Sequence, residues 1–500
     1  MNILLIRPKP PKETIGLQSV MICEPLELEY LVANISPLGH KVEILDMILE
    51  KRPLEYYIKS CKPDIVGITG YISHVNIIKD YGKAIKGVCK DIKVVVGGVH
   101  AEVVPEDFLC EHIDYIIRAN GIETFINIIE FLDDVKARDN LFKTDMKKNK
   151  GQDIRNEFMG TLNGKFEVEG ENEKQNENQE GCVYGVTNLP GTYGGEVVLK
   201  ALEFKWKHPD RKSVSKYRDK YYYMFHNPCA LIKTSYGCPY KCSFCFCRNI
   251  TDGKYFAREL EDIMEELKGI EEEEIYIVDD DFLFNRERLL RFAQLLKNYG
   301  IKKRFLVYGR ADFIAQNEDV IKELSEVGLR ACIVGLESAS EEELLKYNKK
   351  SQVEFNERAV KILQKYDIEC YATLILGIDW GKEDFNRLYQ WVRKLKIRFV
   401  NLQPFTPLPG TELFEEYKDK LIVKREEHEK WDLAHLTVEP SKMSIRSYYY
   451  NIIKLYYKII MSPSNIFYIV RRYGFFQSLK LSFGSSSISL QYFIKIVRGK

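Results

Sequence analysis

The chain has 500 residues, 45% of them hydrophobic and 29% charged, with a formal net charge of +1. That length is too great for one core and implies two or three domains; the composition excludes a disordered chain, and the balanced charge excludes an overall electrostatic binder of nucleic acid. The start, MNILLIRPKP, lacks the apolar core and cleavage site of a secretory leader, and no run of about 18 or more apolar residues is present, so the expected location is the cytoplasm, where thiols stay reduced.

Over the first 130 residues, short apolar runs alternate with helical patterns: NILLIRP, PLELEYLVANISPLG, KVEILD, DIVGIT, a helix over about 75–88, KVVVGG and IDYIIR. Continuous β-branched runs of this kind are strands buried on both faces, which predicts a doubly wound parallel sheet. Ligands of such sheets bind at the carboxyl ends of the strands. Those ends carry Asp46, Thr69, the pair Gly97 and Gly98, and the segment from Arg118 that includes Gly121. Two glycines after a strand let a ligand approach the backbone. From about 134 to 215 the pattern fails, and FEVEGENEKQNENQEG reads as a flexible polar insertion in a linker.

After residue 229 the alternation resumes with a longer period. ALIKTSY, EIYIVDD, RFLVYGR, ACIVGLES, CYATLILG and FVNLQPF are strand candidates, with helices near 257–269, 286–298, 317–327, 353–366 and 382–396. Six such units predict a partial (β/α)6 barrel whose chemistry sits at the C-terminal strand ends. The expected division is 1–133 for the first domain, 134–228 for the linker, 229–420 for the barrel and 421–500 for a helical extension.

Four of the 12 cysteines lie in TSYGCPYKCSFCFCRN, directly after the first barrel strand. Cys238, Cys242 and Cys245 have the spacing C-x3-C-x2-C. Three thiolates on one loop hold three irons of a [4Fe–4S] cubane and leave the fourth open. Structural zinc is the bland alternative, but it needs a fourth ligand, and Cys247 lies too close along the chain to supply one without strain. Cys247 reads as a packed residue.

GCPYKCSFC, with an aromatic residue before the third cysteine, resembles the cluster loop of the radical S-adenosylmethionine (SAM) enzymes. The resemblance continues through VDDDF (278–282), GLES (335–338) and TPLPGT (406–411). It implies that SAM chelates the open iron and is cleaved to a 5′-deoxyadenosyl radical that abstracts hydrogen from an unactivated carbon. On this reading Asp279 and Asp280 accept from the SAM ammonium, Glu337 and Ser338 meet the ribose hydroxyls, Arg310 pairs with a carboxylate, and Tyr240 and Phe244 shield the cluster. The first domain resembles the cobalamin-binding domain in segments 24–46, 63–69, 94–101 and 114–123. It departs in one place: Asp46 is followed by Met47, Ile48, Leu49, Glu50 and Lys51, so the Asp-x-His-x-x-Gly stretch that supplies a cobalt ligand is absent. Cobalamin would then bind without an imidazole beneath cobalt. Asp46, Thr69, Gly97, Gly98, His100 and Gly121 are the expected contacts, with His100 and His74 taken as loop residues and not as cobalt ligands.

Two cofactors beside one cluster imply methylation of an unactivated carbon of a small or lipid-like metabolite under anaerobic conditions, with an electron donor such as ferredoxin or flavodoxin. The same arrangement resembles the anaerobic oxidative cyclases of tetrapyrrole synthesis, which gives cyclisation or rearrangement as the alternative. A cobalamin sensor or carrier without catalysis is a third, and it would not need the intact cysteine loop. No nucleic-acid partner is expected. From Ser441 to Lys500 there are ten Lys or Arg and no Asp or Glu, interleaved with YYYNIIKLYYKII and NIFYIVRRYGFF. Such a pattern either caps the barrel with its apolar face or lies on an anionic membrane surface.

Overall fold

The computed structural model describes residues 1–15, 20–148, 189–195, 204–475, 477 and 489–497. The polar insertion FEVEGENEKQNENQEG foreseen above lies wholly outside them.

Two parallel sheets organise the chain. The first contains β1 (Asn2–Arg7), β2 (Lys41–Asp46), β3 (Ile65–Thr69), β4 (Lys93–Gly97) and β5 (Tyr115–Ile116), in the order β2-β1-β3-β4-β5. The order reverses between β1 and β3, and the ligand crevice of a doubly wound sheet opens at such a switch point. Helices α1 (Leu26–Ile35), α2 (Leu54–Cys61), α3 (Val75–Val88) and α4 (Gly121–Lys148) follow the strands. In α3, Val75, Ile78, Gly82 and Ile85 are buried at spacings of three and four, the single apolar stripe that a helix lays on a sheet. One core therefore lies on each face of the sheet.

The second sheet contains β6 (Cys229–Ile232), β7 (Glu274–Ile277), β8 (Arg304–Arg310), β9 (Leu329–Glu337), β10 (Glu369–Leu376) and β11 (Phe399–Pro404), paired in chain order and all parallel. Helices α5 (Leu260–Gly269), α6 (Arg286–Asn298), α7 (Glu318–Glu326), α8 (Val353–Lys365) and α9 (Lys382–Lys394) cover its outer face. The two faces divide the strand residues cleanly. Ile275, Ile277, Val307, Val334, Ala372 and Leu402 join the helices, whereas Leu231, Tyr276, Leu306, Ile333, Tyr371 and Phe399 face the lumen. This is the open six-unit barrel expected from the sequence.

Two boundaries differ from expectation. Helix α4 runs through position 133, because its charged second half keeps good helix formers where the apolar strand pattern stops. The segment read as linker is packed over part of its length: Val214, Tyr217 and Tyr221 are buried against the first sheet, and Tyr222–Tyr223 pair with Met21–Ile22. Aromatic side chains with polar tips supply burial without an apolar run.

The C-terminal extension forms α10 (Ile445–Ile460) and α11 (Pro463–Tyr473). Tyr448, Tyr449, Ile452, Leu455 and Ile459 are buried in the barrel's outer core, and the Tyr448 hydroxyl donates to the carbonyls of Leu376 (2.8 Å) and Gly377 (3.1 Å). The cap foreseen from the sequence is present. Tyr448→Phe is expected to cost about 0.5–1.5 kcal/mol, because it removes a buried hydrogen bond from carbonyls that keep their backbone donors, and Ile452→Ala about 2–5 kcal/mol; both are read as a lowered midpoint of denaturant unfolding.

Candidate active site

The cysteine loop leaves β6 and is held down by the end of β7. Asp279, only 1% exposed, accepts from the backbone N–H groups of Thr234 (2.6 Å) and Ser235 (3.0 Å) and from both of their hydroxyls. Asp280 accepts from the Gly237 N–H at 2.9 Å. Gly237 has φ +82, and a Cβ there would lie 2.1 Å from the Lys254 carbonyl oxygen, so only glycine makes this turn. Both carboxylates expected to receive the SAM ammonium therefore anchor the loop, and Asp279 has no free lone pair of good geometry left. Burial pushes the Asp279 carboxyl up, opposed by Lys233, Thr234 and Ser235.

Asp281, the third acid of VDDDF, was not singled out from the sequence. It is 2% exposed, lines the cavity, and neither carboxylate oxygen has a hydrogen-bond partner. Burial pushes its carboxyl up to about 8 against the pull of Arg310 and Lys349. A buried carboxylate left without a donor is an acceptor arranged for something else.

Across the lumen, Arg310 at the end of β8 donates to both oxygens of Asp312 (3.0 and 2.9 Å) and to the Lys349 carbonyl (2.8 Å), and it lies 3.9 Å from Cys242 Sγ and 3.7 Å from the Tyr240 ring centre. Glu337 ends β9 at φ +59, after a register shift, and pairs with Lys349 at 2.7 Å. A Cβ on Gly335 would come within 2.4 Å of Glu337 Oε1, so the glycine lets this pair fold across the strand. Ser338 is outside the cavity: its hydroxyl donates to Glu343 and accepts from the Ser340 N–H. The left-handed turn at Glu337 sends the next side chain to the outer face, which removes Ser338 from the expected ribose contact.

Cys238, Cys242 and Cys245 all line this cavity, with Cys247 beside them. Burial raises Cys238 to about 12 and also raises Cys242, whereas a hydrogen bond with Cys247 is the main cause that lowers Cys245. Among the described residues no three His, Cys, Asp or Glu converge on a single metal ion. A cubane makes a different demand, since each thiolate binds its own iron, and a loop of three cysteines facing an open chamber meets it.

The same cavity, about 1680 Å³, continues to the carboxyl edge of the first sheet. That exceeds the ~300–1,000 Å³ of an ordinary ligand pocket. Thr69, Gly97, Gly98, His100 and Gly121 line it, as expected. Gly98 has φ +100 and a Cβ there would lie 2.7 Å from Thr69 Oγ1, while a Cβ on Gly121 would meet nothing within 4 Å. This rim gives a bulky planar ligand close access to backbone, so the donors and the room fit cobalamin. Asp46 does not line the cavity. It is fully buried, bonded to Arg7 and to the Tyr221 hydroxyl (3.1 Å), and Arg7 lines the wall in its place. His100 is tied by Nε2 to Asp107 at 2.7 Å. His74 Nδ1 accepts from the Tyr71 N–H at 3.2 Å, and burial lowers its pKa to about 4. Neutral imidazole with Nδ1 occupied carries its proton on Nε2, which is a donor and not a metal ligand.

Both domains have known relatives. A model of the radical SAM superfamily matches residues 232–392, and one of the B12 binding domain matches 13–129. The hopanoid C-3 methylase of Methylococcus capsulatus is 25% identical over 464 residues, 91% of this chain and 79% of that enzyme. The anaerobic magnesium-protoporphyrin IX monomethyl ester cyclase of Rubrivivax gelatinosus is 22% identical over 89% of this chain and 74% of that one. Among solved structures, the cobalamin-dependent SAM radical enzyme OxsB with aqua-cobalamin and SAM bound superposes with a TM-score of 0.63 at 15% identity, covering 99% of this chain and 72% of that one. The methyltransferase TsrM from Kitasatospora setae, with cobalamin and a [4Fe–4S] cluster bound, gives 0.62 at 14%, covering 98% and 99%.

Asp279→Ala leaves several buried donors unpaired, so a loss of about 2–4 kcal/mol of stability is expected. Iron and sulfide per chain after anaerobic reconstitution should fall with it, although no cysteine is touched.

Proposed function

We propose that this chain, which belongs to the radical SAM enzymes that carry a B12-binding domain, methylates an unactivated carbon of an apolar small molecule. One observation carries the proposal: the cysteine loop, the β7–β9 strand ends and the glycine rim of the first sheet open into one chamber, so a radical source and a methyl carrier would face the same substrate. When bound, the cluster and SAM supply the carbon radical and cobalamin supplies the methyl group. The protein's part is to bind, orient and keep out water.

The residues take these roles in our reading. Cys238, Cys242 and Cys245 hold the cluster, with Arg310 and Tyr240 covering it. Asp281 accepts the SAM ammonium in place of Asp279 and Asp280. Glu337, already held by Lys349, has its second oxygen available for a ribose hydroxyl. Thr69, Gly97, Gly98 and Gly121 seat cobalamin.

The lumen supports a lipid-like substrate. Leu231, Tyr276, Val278, Tyr308 and Ile375 line it, and three of its cations are engaged: Lys233 with the Val278 carbonyl (3.0 Å), Arg310 with Asp312, Lys349 with Glu337. Asn401 and Gln403 face the chamber with no hydrogen bond from their side chains among the described residues. They suit an uncharged hydroxyl or carbonyl on an otherwise apolar molecule. A ferredoxin- or flavodoxin-type donor would supply the electron, and a membrane surface would be a source of such substrates. Oxidative cyclisation is the second reading, favoured by the likeness to the tetrapyrrole cyclase.

The test is anaerobic reconstitution with iron, sulfide and hydroxocobalamin, then dithionite and SAM bearing a deuterated methyl group. Formation of both 5′-deoxyadenosine and S-adenosylhomocysteine, lost in Cys242→Ala, is expected; 5′-deoxyadenosine alone would transfer the assignment to the cyclase reading. Asp281 gives a second prediction. Its folded carboxyl, at about 8, lies above the ~3.9 of an unfolded Asp. Between these values the folded form holds a proton that the unfolded form has lost, so the ligand-free chain loses stability as pH rises through that window. Asp281→Asn should abolish that loss and weaken SAM binding about ten- to a hundredfold, measured by thermal melts across pH and by equilibrium dialysis.

A further inference from the structure

The C-terminal extension has two faces, and capping the barrel uses one. On α10 and its C-cap residue, Arg446, Tyr450, Lys454, Tyr457 and Met461 fall at spacings of four, four, three and four, and all five are exposed. This single stripe interleaves two basic side chains with two tyrosines and a methionine. Helix α11 repeats the pattern with Pro463, Phe467, Arg471 and, just beyond it, Phe475 at intervals of four; Phe467 is 67% and Phe475 62% exposed. A last helical segment, 489–497, exposes Leu490, Phe493 and Val497. Large apolar side chains clustered in the open at this density mark a contact surface.

Charge identifies the contact. The ten Lys or Arg from Ser441 onward face no acidic residue in their own segment, and since the whole chain is +1, residues 1–440 carry −9. The extension is therefore the basic, aromatic segment of an otherwise acidic chain. Two copies meeting face to face here would oppose like charges, so a second copy is disfavoured. No helix among the described residues is long and apolar enough to cross a membrane. The opposite face of α11 is fixed to the bottom rim of the barrel: Tyr468 bonds Glu369, Arg472 pairs with Asp367 at 2.6 Å, and the Tyr473 ring lies 3.6 Å from that of Phe225. The exposed stripe is thus rigidly mounted.

We propose that α10 and α11 dock this protein in the plane of an anionic lipid bilayer, with Phe467, Tyr450, Tyr457 and Met461 entering the interface and Arg446, Lys454 and Arg471 among the headgroups. Aromatic and aliphatic side chains supply the buried area, and the cations supply selectivity for acidic lipid. Docking in this way sets the outer side of the barrel under α10 and the rim under α11, not the cofactor chamber, against the surface. The inference stands independently of the methyl-transfer reading.

The test uses the full-length holoprotein, floated on vesicles of phosphatidylcholine alone or mixed equally with phosphatidylglycerol. Flotation on the mixed vesicles only, reversed by added salt, is expected. Phe467→Glu and the double variant Lys454→Glu/Arg471→Glu should each weaken vesicle binding at least tenfold, with cobalamin absorbance and 5′-deoxyadenosine formation unchanged, which separates lost docking from lost folding or activity. The proposal is overturned if the holoprotein ignores both vesicle types or floats equally on both, and equally if light scattering finds a dimer that Phe467→Glu converts to monomer.

Discussion

The site depends on one buried carboxylate. Asp279 at the end of β7 collects the N–H and hydroxyl groups of Thr234 and Ser235, and so sets where the cysteine loop leaves β6. Without that acceptor, four polar groups would be buried unpaired just where three thiolates must be presented to one chamber. The adjacent acids divide the remaining work by geometry. Asp280 holds the Gly237 turn, and Asp281 points past the loop into the cavity with nothing bound to it. Three identical residues in a row thus acquire three roles because successive strand-end side chains point in different directions.

The chamber exists only because the two sheets are held in one orientation. Glu24, 3% exposed, is paired with Arg211 (2.6 Å) and Arg218 (3.1 Å) and also accepts from the Leu231 N–H in β6. Arg211 reaches on to Glu266 in α5 at 2.7 Å. On the far side, Asp107 receives Arg425 at 2.6 Å and lies between His100 and His428. Burial opposes its ionisation, but the hydrogen bond with His100, the nearby His428 and the charge of Arg425 outweigh burial and hold it well below the usual carboxylate range. Buried charged groups paired in this way orient neighbours more sharply than apolar contact does, because each lost partner leaves an uncompensated charge.

The C-terminal helices show why an amphipathic pattern alone is ambiguous. The buried stripe of Tyr448, Ile452, Leu455 and Ile459 and the exposed stripe of Tyr450, Lys454 and Tyr457 share one 16-residue helix. Both readings of the sequence, cap and surface contact, have residues to support them, because tyrosine serves equally in a core and at an interface.

Much of the fold was legible because strands buried on both faces require continuous β-branched runs, and those runs are local. The order of units, the barrel helices and the cysteine loop followed from them, as did the placement of Thr69, Gly97, Gly98 and Gly121 at strand ends. Asp46 and Ser338 misled because a strand end names the neighbourhood but not the side chain's direction, which Tyr221, 175 residues on, sets for one and the left-handed backbone at the preceding Glu337 sets for the other. Asp281 and Lys349 went unnoticed because an unpaired acid and a lysine folded back over a glycine have no local signature. The sequence by itself determined which elements form and which residues can carry the chemistry, since periodicity and ligand type are properties of short segments. Only the tertiary structure decided which carboxylate is free, which arginine lines the cavity and that two sheets share one chamber, because hydrogen-bond partners and empty space are set by residues hundreds of positions apart.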